Sequence, residues 1–437
     1  MGRGALASRV APWLLQRGVH YGWIVAATTF LTMLATAAAM GSAGIMIEPL
    51  REEFGWGTDQ ISFAMAIRLV LFGLFGPFAA AFMNHFGVRK VVVCALGMIA
   101  TGLGLSFFMR ELWQLLLLWG VVVGVGTGMT ALVLGATVAT RWFNHRRGLV
   151  VGLMTASTAT GQMVFQPLLA SVTEALGWRM AIAVIVVFML VLMVLVGLLM
   201  RDYPADVQQP LFGDEEVTPA PARSTRLGAL VMAPLQNLRD ISRTGTFWVL
   251  FLSFYVCGFS TNGLIHTHWV PMNSDFGVSV MGAASMLAII GLFDFVGTIF
   301  SGWLSDRFDN RWLLFWFYGL RGLSLIFLSF SGFAPVALLL FAVFYGLDWV
   351  ATVPPTVKLT AARFGPQTAN MTFGWIFAGH QIGAASAAYI AGVMRTDLHT
   401  YMPALQLAGV LCMMAALVVL TYGAARGSAA RGSDLRI

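Results

Sequence analysis

The sequence predicts an all-α polytopic membrane protein, and three observations carry this prediction. Of its 437 residues, 58% are hydrophobic and 10% are charged, whereas about 25% of the residues of an ordinary soluble domain are charged. Twelve apolar runs are each long enough to span a bilayer, and the two halves of the chain resemble each other at a fixed offset. The composition excludes a soluble globular enzyme, a disordered chain and a disulfide scaffold.

The apolar runs predict twelve transmembrane helices, because a spanning helix needs about 20 mainly apolar residues. The runs are too long and too uniformly apolar for barrel strands, which alternate over about 10 residues. Lipid offers no partner to an unpaired backbone group, so helices remain as the spanning structure. The predicted spans cover roughly residues 21–47, 58–82, 90–108, 112–138, 147–171, 178–200, 246–271, 280–304, 311–331, 335–357, 367–393 and 401–424.

The basic residues predict the orientation of these spans. Of the 26 Lys and Arg residues, 20 lie in the termini and in the loops after even-numbered spans, and 4 lie in the opposite loops. Cytoplasmic loops carry the excess of basic residues, so both termini are predicted to be cytoplasmic, in a plasma membrane of the bacterial inner-membrane type. We assign the net charge of +7 to contact with anionic lipid and expect no nucleic-acid partner.

A single shift along the chain, which we call the repeat shift, aligns the two halves of the sequence. It carries Pro49 onto Pro271 and Gly55 onto Gly277. One shift that serves several spans indicates a duplicated six-helix unit whose two copies share one orientation. The predicted domains are an N-terminal six-helix bundle at 1–200, a cytoplasmic linker at 201–243 that we expect to be partly disordered, a C-terminal six-helix bundle at 244–425 and a cytoplasmic tail at 426–437.

Two parallel repeats of six helices resemble the major facilitator superfamily, in which a pseudo-two-fold axis along the membrane normal relates the halves. The segment that contains Gly302, Asp306, Arg307 and Arg311 resembles the loop motif G-x-x-x-D-R-x-x-x-R of that superfamily, between spans 8 and 9. The resemblance implies a substrate site between the halves and a rocking motion about it. It also implies that the motif acts as a latch, in which a carboxylate at one helix end holds an Arg and the next helix.

The first-half copy of this motif is degenerate. It keeps Gly87, Arg89 and Lys90, but Asn84 stands where the motif has an acid. We therefore expect a weaker latch in the first half. The alternative for both copies is simple anchoring by basic residues at the cytoplasmic face.

Two further stretches resemble one branch of the superfamily, the monocarboxylate transporters and oxalate–formate antiporters. They are 141–152, with the sequence RWFNHRRGLVVG, and 20–25, with the sequence HYGWIV. Monocarboxylate carriers place an Arg four residues after an Asp in helix 8. Asp294 matches that acid, but Thr298 occupies the Arg position.

Three ionisable residues in the second half are predicted to lie at one depth. Counted at 1.5 Å per residue from the nearest cytoplasmic charge, Asp294, Arg321 and Asp348 each lie roughly 15–18 Å into the membrane. Two carboxylates and one guanidinium sum to −1, and a carboxylate without a partner tends to hold a proton. Asp294 or Asp348 is thus a proton-coupling candidate. The alternative is a structural ion pair, with Arg321 bracing one of the two acids.

Arg68 stands among apolar residues of the second span. Either Glu48 neutralises it, or it binds an anionic substrate as a planar fork. His380 is a candidate for assisting it, although a hydrogen-bonded core histidine is the alternative. Further substrate-binding candidates lie on polar helix faces that could also serve only to join helices; they are Thr32, Gln162, Asn262, His266 and Tyr345.

These features together predict a secondary active transporter that moves a small organic anion, in particular a carboxylate, with a proton as the coupling ion. The alternatives are a proton-driven exporter of lipophilic compounds and a nutrient sensor that does not transport. We expect no enzyme activity, cofactor or metal, because no phosphate-binding loop, nucleophile–base pair or ligand cluster has workable spacing. The expected partners are the anion, the proton and membrane lipid, with a monomer as the functional unit.

Overall fold

The computed structural model of the protein describes residues 5–220, 227–305 and 307–421. Within these ranges, the description leaves out the side chains of residues 5–9, 80, 132, 147–149, 155, 159, 162, 227, 229–231, 366–368 and 370. The described part is built of helices joined by turns and loops, with one isolated backbone bridge between Phe143 and Phe212.

Twelve long helical segments follow one another along the described chain, and ten of them are long and apolar enough to cross a membrane. The other two, with 30 and 33 residues, lie at the fifth and eleventh predicted spans. The prediction of an all-helical, multi-pass membrane protein is therefore confirmed. The segments are α1 Gly22–Phe54, α2 Thr58–Phe86, α3 Val88–Leu105, α4 Leu112–Trp142, α5 Arg147–Leu176, α6 Trp178–Leu199, α7 Gly245–Ser274, α8 Val280–Ser305, α9 Asn310–Phe330, α10 Pro335–Phe364, α11 Pro366–Leu398 and α12 Met402–Val419.

The sequence repeat has a counterpart in the backbone. The repeat shift carries Gly55 onto Gly277, and both adopt the left-handed conformation, with φ of 68° and 77°. It also carries Gly177 onto His399, which have φ of 83° and 55°. A non-glycine residue at positive φ is uncommon. The two positions share the sign of φ but not the full conformation, because ψ is 163° at Gly177 and 21° at His399.

Three of the long segments depart from regular α-helix. α4 contains a π-helical stretch at Leu116–Val123 and a turn at Thr130. α7 contains a π-helical stretch at Phe259–His266. α10 is interrupted by a turn that covers residues 349–352. Because an interruption frees backbone groups that lipid cannot satisfy, side chains must supply their partners.

α7 and α11 approach each other closely through glycines. A Cβ atom at Gly258 would overlap the backbone carbonyl of His380, and one at Gly383 would overlap that of Tyr255. Small residues permit such backbone contact between membrane helices. The two helices therefore pack as a tight pair.

The two halves contact each other at the end of the bundle opposite the termini, which we call the far end. There the Thr396 hydroxyl of α11 donates to Asp59 Oδ1 of α2 at 3.0 Å. The Met281 backbone N–H of α8 donates to Glu174 Oε1 of α5 at 2.9 Å. Both flanks of the interface are thus joined by polar contacts at the far end.

The linker begins with an ordered segment. The backbone N–H groups of Tyr21 and Arg89 donate to Gln209 Oε1 and Asp202 Oδ1, both at 3.0 Å. A helix follows at Leu227–Ile241. The expected partial disorder does not hold for residues 201–220, because side chains of this segment satisfy free N–H groups at helix starts of the first half.

Candidate functional site

The interruption of α10 is held on one side by α8. Oδ1 of Asp294 accepts hydrogen bonds from the Val350 backbone N–H and from the Thr298 hydroxyl, each at 3.0 Å. The Ser301 hydroxyl donates to the Ala351 carbonyl at 2.5 Å. The interruption of the helix leaves the Val350 N–H without a carbonyl partner in α10, so a buried carboxylate is a stabilising partner for it.

Arg321 of α9 holds the interruption on the other side. Its Nε donates to Asp348 Oδ2 at 2.7 Å, and the Arg321 side chain is fully buried. One terminal nitrogen of Arg321 donates to the backbone carbonyls of Asp348 and Trp349. The other donates to Cys257 Sγ of α7 at 3.0 Å, and that sulfur lies 3.2 Å from Thr352 Oγ1. A cation at the carbonyl end of a helix is the favourable arrangement.

The structure thus gathers Asp294, Arg321 and Asp348 around one turn of α10. Asp348 Oδ1 is buried and has no hydrogen-bond partner among the described residues. The formal charges of the three groups sum to −1. In a setting of low dielectric, one extra negative charge is stabilised by a cation or by uptake of a proton.

Arg68 of α2 lies at the interface of the two halves and is 2% exposed. Its two terminal nitrogens donate to the backbone carbonyls of Ala39 and Met40 in α1, at 3.2 and 3.1 Å. Glu48, the candidate counter-ion, forms its ion pair with Arg51 instead, at 2.7 Å. Among the described residues, no acid forms an ion pair with Arg68.

A second polar group binds the next carbonyl of α1. Nε2 of Gln166, on α5, donates to the Gly41 carbonyl at 3.0 Å and lies 3.4 Å from Nε2 of His266, on α7. His266 is also close enough to Arg68 for their charges to interact. Arg68, Gln166 and His266, which we call the inter-half cluster, therefore join both halves around one turn of α1.

Gln166 was not among the residues selected from the sequence. Gln162 was selected, and its side chain lies outside the described residues. The two glutamines are four residues apart, so they share one face of α5. The signal for Gln166 was therefore present in the sequence, on the same polar stripe.

The remaining predicted binding residues have partners of their own. Nε2 of His380 lies 3.5 Å from Nδ2 of Asn262, and the His380 ring stacks on Phe377. The Tyr345 hydroxyl donates to the Ser260 carbonyl at 2.6 Å. The hydroxyl of Thr32 donates within α1, to the Thr28 carbonyl at 2.8 Å.

In the second-half loop motif, Asp306 lies outside the described residues. Arg311 forms an ion pair with Asp309 at 2.6 Å, and these hydrogen bonds hold the pKa of the Asp309 carboxyl below its usual range. The guanidinium of Arg307 lies over the Trp303 ring, 4.1 Å from its centroid. At Gly302, a Cβ would meet open space.

In the first-half copy, Asn84 Oδ1 accepts a hydrogen bond from Arg141 at 2.5 Å. The guanidinium of Arg141 also lies over the Tyr203 ring, 4.7 Å from its centroid. The carboxylate of Asp202 stands at the start of α3, where a Cβ on Gly87 would overlap it. An acid from the linker therefore occupies the helix start in this half, while Lys90 next to it is exposed.

Comparison with known proteins shows to which family the chain belongs. A family model described as Major Facilitator Superfamily matches residues 26–388 and 269–433. The chain is 23% identical to the MFS-type transporter YcxA of Bacillus subtilis over 387 residues, which cover 87% of this chain and 90% of that protein. It is 24% identical to human monocarboxylate transporter 12 over 405 residues, covering 89% of this chain and 78% of the relative.

Bovine monocarboxylate transporter 13 is 23% identical over 406 residues, which cover 92% of this chain and 89% of that protein. Among solved structures, the crystal structure of a D-xylose-proton symporter matches with a TM-score of 0.71 and 14% identity. That match covers 92% of this chain and 98% of the symporter chain. At this identity, the match establishes the fold.

Proposed function

Because the chain belongs to the Major Facilitator Superfamily, a family of transporters and not of enzymes, we propose that it is a secondary active transporter of a small organic anion. The cargo class is a carboxylate, and the coupling ion is a proton. The relatives named monocarboxylate transporters support this cargo class. The transporter would work by alternating access in the plasma membrane, with both termini cytoplasmic.

The observation that carries the proposal is the state of Arg68. A buried guanidinium without an acidic partner costs several kcal/mol, and its position between the halves is where a carrier of this fold binds its cargo. The carbonyls of Ala39 and Met40 offset part of that cost. A bound carboxylate would supply the missing negative charge through a two-pronged hydrogen bond.

The proton would bind at the turn of α10. The groups Asp294, Arg321 and Asp348 carry one negative charge in excess, and neutralising it by a proton fits a cycle in which anion and proton move together. Asp294 is hydrogen-bonded to the Val350 N–H, and Asp348 is paired with Arg321. Either acid could therefore change its contacts when it is protonated.

Transport by rocking requires that contacts at the far end break. The hydrogen bonds Thr396–Asp59 and Met281–Glu174 join the halves at that end, so we propose that they close it in this state. The loop motif at Gly302–Arg311 and its first-half copy would act at the other end, where they would stabilise one of the two states of the transporter.

Proteoliposomes test the proposal directly. Purified protein should accumulate a carboxylate when a pH gradient is imposed, and Arg68→Lys should weaken uptake because a point charge replaces a planar fork. Asp294→Asn and Asp348→Asn should identify the proton site. Wild-type kinetics in Arg68→Lys would remove Arg68 from the site, and retained pH-driven accumulation in both Asn variants would refute proton coupling. Lipophilic cations as better substrates than carboxylates would favour the exporter alternative.

A further inference from the structure

We propose that Gln166 and Arg68 together select a carboxylate that also carries a hydrogen-bond donor, such as a hydroxy acid. The inference rests on the proposed anion transport and states which carboxylates the site prefers. It derives from two buried polar atoms of the inter-half cluster that have no hydrogen-bond partner among the described residues.

The orientation of the Gln166 amide is fixed by its neighbours. The atom that faces the Gly41 carbonyl at 3.0 Å must be the NH₂ group, because two oxygens would repel each other. The same nitrogen lies 3.4 Å from Nε2 of His266, which accepts a hydrogen bond when its own proton is on Nδ1. With His266 in that tautomer, both N–H groups of the amide are directed at acceptors.

The Gln166 oxygen has no such partner. Gln166 is 2% exposed, and its Oε1 has no hydrogen-bond partner among the described residues. Because an amide oxygen only accepts hydrogen bonds, the missing partner must be a donor. A ligand can satisfy Oε1 with a hydroxyl or an N–H group, whereas a carboxylate or a keto oxygen would be repelled.

Arg68 has an unused hydrogen-bond donor, which complements the unused acceptor of Gln166. Its terminal nitrogens donate to Ala39 and Met40, but its Nε has no partner among the described residues. This N–H needs an acceptor, and a carboxylate oxygen is its strongest partner. The cluster therefore offers a charged donor on α2 and a neutral acceptor on α5.

Both groups belong to one small region. They bind the carbonyls of three consecutive residues, Ala39, Met40 and Gly41, which span less than one turn of α1. His266 contacts Gln166 and interacts electrostatically with Arg68. A ligand of a few carbon atoms that offers an acceptor at one end and a donor at the other would satisfy both unpartnered atoms.

The selectivity follows from the cost of leaving buried polar groups unpaired. A site that hydrogen-bonds a substrate hydroxyl discriminates strongly against the analogue without it, because its own polar group stays unpaired. Butyrate leaves Oε1 without a partner, and 2-oxobutyrate places a second acceptor near it. Hydroxybutyrates offer the required donor.

The experiment is competition and uptake in proteoliposomes with a four-carbon series. The probes are butyrate, 2-oxobutyrate and the 2-, 3- and 4-hydroxybutyrates, each measured against the unmodified protein. We expect at least one hydroxybutyrate to bind about tenfold or more tightly than both butyrate and 2-oxobutyrate. Equal binding of all five acids would overturn the inference and leave the proposed function standing, whereas binding of none would refute the proposed function itself.

A matched pair of variants tests the assignment to Gln166. Gln166→Leu should lose the hydroxyl preference, so that the ratio of hydroxybutyrate affinity to butyrate affinity falls towards one in that variant. Gln406→Leu removes the same amide from α12, which contributes no residue to the cluster, and should keep the preference. A preference that survives in Gln166→Leu would overturn the role of Gln166. Should this variant not fold, the ligand series on the unmodified protein still decides the inference.

Discussion

The two halves interrupt equivalent helices at equivalent positions but hold the interruptions differently. The repeat shift carries Thr130 in α4 onto Thr352 in α10. The Thr130 hydroxyl lies 2.8 Å from that of Thr36 on α1, and the Thr352 hydroxyl lies 3.2 Å from Cys257 Sγ on α7. Each turn is thus attached to the first helix of its own half.

Charge distinguishes the two turns. Asp294 and Arg321 bind the freed backbone of α10, whereas their first-half counterparts under the repeat shift are Phe72 and Ile99. The first half shows that uncharged groups suffice to hold such a turn. The charges in the second half therefore exceed what the backbone requires, which favours a role in the transport cycle.

Among these variants, the largest loss of stability is expected from Arg321→Leu. It leaves Asp348 buried without its cation and frees two backbone carbonyls, so the free energy of unfolding should fall by about 3–5 kcal/mol. Chemical unfolding of the purified protein in detergent measures this loss.

The matched control is the double variant Arg321→Leu with Asp348→Leu. Replacing a whole buried ion pair by apolar residues is often neutral. The double variant should therefore recover the stability lost to the unpaired acid, but not that lost at the two carbonyls, while transport stays lost. A double variant as unstable as the single one would show that the pair itself, and not the unpaired acid, determines stability.

A second experiment separates backbone support from charge at Asp294. Asp294→Leu removes the acceptor of the Val350 N–H and should cost about 1–3 kcal/mol, since a buried donor is left unpaired. Asp294→Asn keeps an acceptor and removes the charge, so it should retain most of the stability, and it loses proton-driven accumulation if Asp294 is the acid that carries the proton. Equal stability of the two variants would contradict the contact with Val350.

The matched pair Thr130→Val and Thr352→Val compares the two turns directly. Each variant loses the hydroxyl contact with the first helix of its own half, worth about 0.5–1.5 kcal/mol. The Thr130 hydroxyl also contacts the carbonyls of Gly126 and Thr127 within α4, and these contacts are lost with it. We expect the larger loss at Thr130, because charged groups still hold the turn of α10 when the Thr352 hydroxyl is gone. Unfolding of both variants measures the difference, and a larger loss at Thr352 would reverse the comparison.

The smallest effect is expected from Asn84→Asp. A carboxylate facing Arg141 strengthens a contact that the amide already makes at 2.5 Å, but Asn84 is exposed, so the gain is about 0.2–1 kcal/mol. It should shift the protein towards the state that this contact stabilises. Labelling rates of a cysteine placed between the halves at the end that carries the termini would report the shift, and unchanged rates would count against the latch.

The sequence predicted the fold well because membrane physics is restrictive. A uniformly apolar run can cross lipid only as a helix, and one shift that aligns both halves indicates a duplicated six-helix unit. The interruptions were not predicted, although the sequence carries signals for them. Pro354 and Pro355 follow the turn of α10, and three glycines precede Thr130. The apolar runs were assessed by length and hydropathy alone, which indicate a span but not a break within it.

The candidate site was predicted in part. Counting residues from the cytoplasmic charges predicted that Asp294, Arg321 and Asp348 lie at one depth in the membrane. The structure brings the three side chains together. The arithmetic could not show that a backbone N–H is the partner of Asp294, because that group is free only where the helix breaks. Gln166 was missed since periodicity identifies a polar stripe but not which of its members reaches a neighbouring helix.

The glycine contacts between α7 and α11 have a mechanical consequence. There is no room for a methyl group at Gly258 or Gly383, so the backbones of these two helices are in direct contact, and we expect them to move as one rigid unit. The distance between two spectroscopic labels, one on each helix, should therefore stay constant throughout the proposed transport cycle. A covalent tether between them should leave turnover intact, whereas one joining α1 to α7 across the halves should arrest it.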